Sequence, residues 1–135
     1  MRLLNENEEV DVEVNWEDQQ NINLFSTLNI KLENYEAEYE KVKKEKEYMD
    51  DLQQEIEQLE LLSEDENEKV KFLIGDAFVE LSIPECQELI EEKLASFEKQ
   101  LDDYQSKIDD ANEQMAKLKA ILYGKFGKSI NLEKD

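Results

Sequence analysis

Val70-Lys71-Phe72-Leu73-Ile74-Gly75-Asp76-Ala77-Phe78-Val79-Glu80-Leu81 is the stretch that decides the fold. Apolar side chains alternate on both sides of Gly75-Asp76: Val70, Phe72 and Ile74 before it, Ala77, Val79 and Leu81 after it. A period of two belongs to a strand, and a two-residue Gly-Asp connection belongs to a hairpin turn. The turn sets the register, pairing Ile74 with Ala77 and Phe72 with Val79 on one face and leaving Leu73 and Phe78 on the other. The acidic run Ser63-Glu64-Asp65-Glu66-Asn67-Glu68 is the solvated loop leading into it.

Outward from the hairpin the period lengthens to about 3.5 residues, that of a coiled-coil seam. On the C-terminal side Leu94, Phe97, Leu101, Tyr104, Ile108, Ala111, Met115, Leu118 and Leu122 alternate spacings of three and four without a break. Ser82-Ile83-Pro84-Glu85 starts this helix: Ser82 stands as the cap, Glu85 closes a capping box, and Pro84 is tolerated in the first turn. Gly124 and Gly127 mark its end. On the N-terminal side Phe25, Leu28, Leu32, Tyr35, Tyr39 and Val42 form a second seam, which resumes at Met49, Leu52, Ile56 and Leu59 after a slip in frame near Glu45 and Lys46. Ile22 to Leu62 and Ile83 to Tyr123 are both 40 steps, so the arms match. At ~1.5 Å rise per residue each is roughly 60 Å long.

The predicted fold is mainly α: a long antiparallel two-helix coiled coil with a single β-hairpin at the helix junction. Its parts are an acidic flexible tail at 1–14, a first helix at 15–62, the loop and hairpin at 63–82, a second helix at 83–123 and a C-terminal tail at 124–135. Val10, Val12 and Val14 alternate within the first tail but have no partner segment nearby.

Composition narrows the function. Asp and Glu number 36 against 16 Lys and Arg, a net charge of −20, which repels nucleic-acid phosphates and anionic lipid headgroups. No run approaches the ~20 apolar residues of a membrane span, and Met1-Arg2-Leu3-Leu4-Asn5-Glu6 turns acidic before a signal-peptide core forms, so a cytoplasmic protein is expected. There is no histidine, and the one cysteine, Cys86, sits in an amphipathic stretch where packing is its expected role. Gly127-Lys128-Ser129 lacks the first glycine of a phosphate-binding loop, since Leu122 stands there. Asp65 and Asn67 lack the glycine and closing glutamate of a calcium loop. No metal, cofactor or catalytic residue is expected, and Tyr35, Tyr39 and Tyr104 read as seam residues.

Two regions exceed what a coiled coil needs. An isolated hairpin is marginal in water, so Val70, Phe72, Leu73, Ile74, Phe78, Val79 and Leu81 are expected to assemble with other chains. At the far end of the arms Trp16 and Phe25 fit the seam, where clamping the helix ends together is the alternative role, while Leu24, Tyr123, Phe126, Ile130 and Leu132 exceed what the seam needs; this apolar tip is expected to hold exposed hydrophobic segments of another protein.

Three stretches carry a likeness: Trp16-Glu17-Asp18-Gln19-Gln20-Asn21-Ile22-Asn23, Ile74-Gly75-Asp76-Ala77-Phe78, and the ending from Leu118 through Lys125-Phe126-Gly127-Lys128-Ser129-Ile130-Asn131-Leu132-Glu133. In this order, over nearly the whole chain, they resemble the β-class subunits of the eukaryotic prefoldin family. Trp16 stands where that family has Phe, and Gly124 where it has Ala. The resemblance implies a hexamer of two α-class and four β-class chains, so two α-class and three further β-class subunits would be the partners here. It implies a β-barrel platform built from hairpins, and arms whose tips hold non-native actin and tubulin for delivery to the cytosolic chaperonin without ATP hydrolysis. The alternative is a structural coiled-coil adaptor that docks through its hairpin and only spaces its partners.

Overall fold

The computed structural model describes residues 2–3, 15–65, 68–74, 76–127 and 130–132. The alternating Val10, Val12 and Val14, the turn residue Gly75, and Lys128-Ser129 lie outside them. The element order is strand β1 (Arg2–Leu3), helix α1 (Trp16–Leu62), strands β2 (Lys69–Ile74) and β3 (Ala77–Ser82), helix α2 (Ile83–Phe126) and strand β4 (Ile130–Asn131). Two long helices with a small antiparallel strand pair between them give the coiled-coil hairpin expected from the change of period. The chain divides into two compact units, Met1–Ala37 with Tyr104–Asp135, and Glu38–Asp103.

In the first unit the helices run antiparallel, because residues early in α1 meet residues late in α2. Ile22, Phe25 and Leu28 pack with Leu118, Leu122 and Phe126, and Ile130 and Leu132 complete the cluster. Met115 and Tyr123 pack against it, partly buried. Further along this unit Lys107 holds its ammonium 5.4 Å from the ring of Tyr104 and 5.7 Å from that of Tyr35, so the two seam tyrosines are bridged by a cation.

The second unit has its own core of Met49, Ile56, Phe72, Ile83, Cys86 and Ile90. Its hairpin has the register expected from the sequence, with Phe72 opposite Val79, Leu73 opposite Phe78 and Ile74 opposite Ala77. β3 runs into α2 without a linker. The Ser82 hydroxyl accepts the Glu85 N–H at 3.3 Å and donates to the Glu85 carboxylate at 2.9 Å. Ser82 therefore ends a strand and caps a helix at once, and Lys69, opposite it in the ladder, places its ammonium 3.7 Å from the same carboxylate. In the loop before β2, Ser63 organises the turn: its hydroxyl donates to the Asp65 carbonyl at 2.9 Å and lies 2.8 Å from the Glu68 carboxylate.

Several boundaries differ from the sequence reading. α2 does not stop at Tyr123 but runs through Gly124 to Phe126, and the reversal falls at Gly127, whose φ is +57°. Only glycine takes that left-handed geometry without a side-chain penalty, so Gly127 ends the helix while Gly124, which has no such φ, does not. The seam of α1 does not slip at Glu45 and Lys46. Val42, Lys46 and Met49 keep spacings of four and three, with Lys46 half-buried and 4.0 Å from Asp50; Leu52 and Gln53 then share the next half-buried position before Ile56. A lysine fills a seam position by burying its stem and keeping its ammonium in water. Leu59 is exposed and lies off the buried stripe. Arg2 and Leu3, placed by sequence in a flexible tail, pair antiparallel with Asn131 and Ile130.

α1 also has a cap that the sequence reading did not name. The Asp18 N–H donates to Asn15 Oδ1 at 2.8 Å, and the Asn15 N–H donates to Asp18 Oδ2 at 3.2 Å, a reciprocal box at the N-cap and N3 positions. Replacing Asn15 with Ala should cost about 1 kcal/mol, and with Gly only a few tenths. Urea melts of the two variants check this, and equal losses would show that the side-chain oxygen is not the cap.

Candidate interaction surfaces at the tip and the hairpin

The tip is built where α1 begins and α2 ends. Four of the seven residues expected there as open contacts are instead core: Phe25, Phe126, Ile130 and Leu132 are each 4 % exposed. The cause is the reversal at Gly127, which lays β4 back over the end of α2. Leu132 then lies close enough for its N–H to donate to the Tyr123 hydroxyl at 3.2 Å. Tyr123 is half-buried, its ring carrying that polar anchor. Trp16 and Leu24 remain in solvent, Trp16 at 77 % exposure. Ile30 and Ile121 are exposed too, and sequence reasoning missed them. Their signal was present, since neither falls on the three-four stripe.

Two grooves open on this unit. One of about 510 Å³ is lined by Phe25, Leu32, Met115 and Leu132, with Asn29 and Lys119 on its walls. Asn29 Oδ1 is buried with no hydrogen-bond partner among the described residues. The other, about 190 Å³, runs past Leu24, Leu28 and Tyr35.

An ion pair between a buried carboxylate and a partly exposed ammonium fixes the tip. Asp18, 5 % exposed, accepts from the Lys125 ammonium near the end of α2 while it caps α1 through Asn15. The Lys125 hydrogen bond holds the Asp18 carboxyl below its ordinary value; burial opposes this, and the Asn15 N–H adds to it. A depressed folded value stabilises the protein above the unfolded carboxylate value, about pH 4, and that stabilisation is lost as pH falls through the folded value. The melting-temperature gap between wild type and Asp18→Asn should therefore be full near pH 7 and shrink below about pH 4. A gap independent of pH would mean that Asp18 acts by shape alone.

The hairpin divides its residues between inside and outside. Phe72 is 3 % exposed, turned into the second core, with Val70 and Leu81 half-buried beside it. Those three were expected to be free for assembly. Because β3 feeds straight into α2, this part of the hairpin is held against the helix ends instead of standing clear of them. Leu73, Phe78 and Val79 stay exposed, Phe78 at 71 %; the side chain of Ile74 lies outside the described residues. Leu61 and Leu62 at the end of α1 are also exposed, a surface the sequence reading did not include. Under Leu73 lies a groove of about 480 Å³ lined by Tyr48, Met49 and Phe97 with Lys44 and Lys93.

Cys86 is fully buried, and its thiol is pushed up chiefly by that burial and secondarily by the charge of Glu85, which keeps it protonated and inert. Among the described residues no helix is long and apolar enough to cross a membrane.

The sequence profile of the family described as "Prefoldin subunit" matches residues 19–129. Over 134 residues the chain is 34 % identical to "Prefoldin subunit 4" of Saccharomyces cerevisiae, covering 99 % of this chain and all of that one. It is 34 % identical over 125 residues to "Prefoldin subunit 4" of Homo sapiens, covering 93 % of this chain and 90 % of the human one. "Probable prefoldin subunit 4" of Dictyostelium discoideum is 35 % identical over 127 residues, with 93 % and 92 % covered. A match across helix, hairpin and helix, together with an architecture of that kind, places this chain in the prefoldin subunit family.

Proposed function

We propose that this chain is one subunit of a cytoplasmic heterohexameric co-chaperone, and that the complex captures non-native actin and tubulin at its coiled-coil tips and delivers them to the cytosolic chaperonin without hydrolysing ATP. Its partners are two α-class and three further β-class subunits, and it is not an enzyme. The observation that carries the reading is the exposed outer face of the hairpin. Leu73 and Phe78 stand opposite each other in the ladder, Phe78 at 71 % exposure and Leu73, on the rim of its groove, at 38 %, on a two-stranded sheet that is marginal alone. Hairpins of other chains are the natural cover, by edge pairing and by burial of this face.

At the tip, Trp16 and Leu24 are the outer contacts, and Ile121 and the groove beside Leu132 extend them. Phe25, Tyr123, Phe126, Ile130 and Leu132 support these contacts by holding the tip together. Each contact is weak, and several arms acting on one client compensate through effective concentration. The test uses the reconstituted complex carrying Trp16→Ser and Leu24→Ser in this subunit. Intact assembly with diminished suppression of actin aggregation is the expected result. Unchanged suppression would favour the structural adaptor, in which the hairpin docks and the tips touch no client.

A further inference from the structure

β4 is two residues long, yet it is held firmly from one side. Ile130 is buried in the tip core, Gly127 turns the chain into it, and Leu132 just beyond it is anchored on the Tyr123 hydroxyl. Its hydrogen-bonding edge is taken by another extended segment, Arg2–Leu3, paired antiparallel with Asn131 and Ile130. Such a ladder, two residues against two, is far below the size at which a sheet is stable by itself. The core therefore fixes one strand, and the other is a removable cover.

We propose that the edge of β4 is a docking site for an extended, apolar backbone segment of a non-native protein, and that β1 is a stand-in for that segment which the client displaces. The inference rests on the client-capture reading and adds its mode. Three observations point to this occupant. An extended backbone already sits on the edge. Leu132, next to the edge, lines the groove of about 510 Å³, where a side chain projecting from an added strand meets Phe25, Leu32 and Met115 among the polar Glu36, Asn112 and Lys119. That groove also contains Asn29, whose buried Oδ1 is an acceptor without a donor among the described residues. Main-chain pairing is indifferent to sequence, while alternate side chains meet a pocket, so this edge selects for extended and apolar character and not for a particular motif. A folded protein offers few such free segments; an unfolded one offers many.

The test measures binding of a fluorescein-labelled peptide of alternating Val and Thr to the full-length chain by anisotropy. The control is the same peptide with N-methylated amides, which cannot pair as a strand. Arg2→Pro with Leu3→Pro removes the donors of β1; it should bind the peptide about 3- to 10-fold more tightly than wild type, because the competing closed state is lost. Asn131→Pro should weaken binding at least tenfold, and N-methylation should do the same on the wild-type chain, where no change to the tip can be blamed. Equal binding by wild type and the β1 variant, or binding that ignores N-methylation, overturns the strand-docking mode and leaves capture by side chains alone. If neither protein binds the peptide while the assembled complex still suppresses actin aggregation, the mode fails and the client-capture reading stands. If suppression is absent as well, that reading fails with it.

Discussion

Leu122→Ala should destabilise the chain by about 3 kcal/mol, within the range for removing a buried leucine from a packed core. Leu122 is fully buried where Ile22, Phe25 and Leu28 of α1, Leu118 and Phe126 of its own helix, and Ile130 and Leu132 of the returning tail converge. The cavity left by truncation cannot be refilled cheaply, because its walls come from three separate segments, two of them tied together by the Asp18–Lys125 pair. Ile121, one residue earlier and exposed, is the internal control: Ile121→Ala should stay within about 0.5 kcal/mol of wild type. Urea unfolding followed by far-UV circular dichroism measures both. Losses of similar size at 121 and 122 would mean that the seam of α2 is not where the heptad puts it.

The second large effect is on assembly, not on folding. Leu73→Ser with Phe78→Ser removes an opposed apolar pair from the outer face of the hairpin while leaving Phe72 in the core. The lone chain should lose about 1 kcal/mol, since Phe78 already faces water and Leu73 is only partly covered. Apolar anchors buried at an interface are commonly worth about 2 kcal/mol each, so losing both should weaken incorporation into the complex roughly a thousandfold. Phe72→Ala should show the opposite balance, with a folding loss of about 3–5 kcal/mol. Co-expression with the other subunits and size-exclusion chromatography separate the two cases. A double-serine chain that still enters the complex would place the assembly surface elsewhere, with Leu61 and Leu62 the next candidates.

The parts of this architecture legible in the sequence are those governed by local period and local capping. The unbroken stripe from Leu94 to Leu122, the switch to period two at Val70, the pairing of Phe72 with Val79 and the Ser82–Glu85 cap all depend on residues close together in the chain. What was not legible depends on which surface folds over which. A period of two says that a hairpin has two faces, but it does not say which is covered, and so Phe72 was placed with the free residues. A count of apolar residues at the tip does not distinguish an open patch from a core closed by a returning tail. The difference lay in Gly127, one of two glycines that local sequence offered as helix terminators. A two-residue strand such as β1 has no period at all, and its partner stands at the other end of the chain. Lys46 filled a seam position that a hydrophobic template reads as a break.

Apolar residues at both ends of the arms divide into covered and uncovered positions. Trp16, Leu24 and Phe78 are left in water by their own chain and are the contacts of the proposed function, whereas Phe25, Phe126 and Phe72, equally apolar, are buried in the two cores. Substitutions in the second group will impair capture or assembly only through stability, and a melt measured beside each functional assay tells the groups apart.

Native mass spectrometry of the tagged chain, purified from a lysate of the cells that make it, reads the assembly itself. The predicted result is a complex of six different small coiled-coil chains in which this one is present once. A lone chain, a homodimer or a stable complex with unrelated scaffold proteins would contradict it.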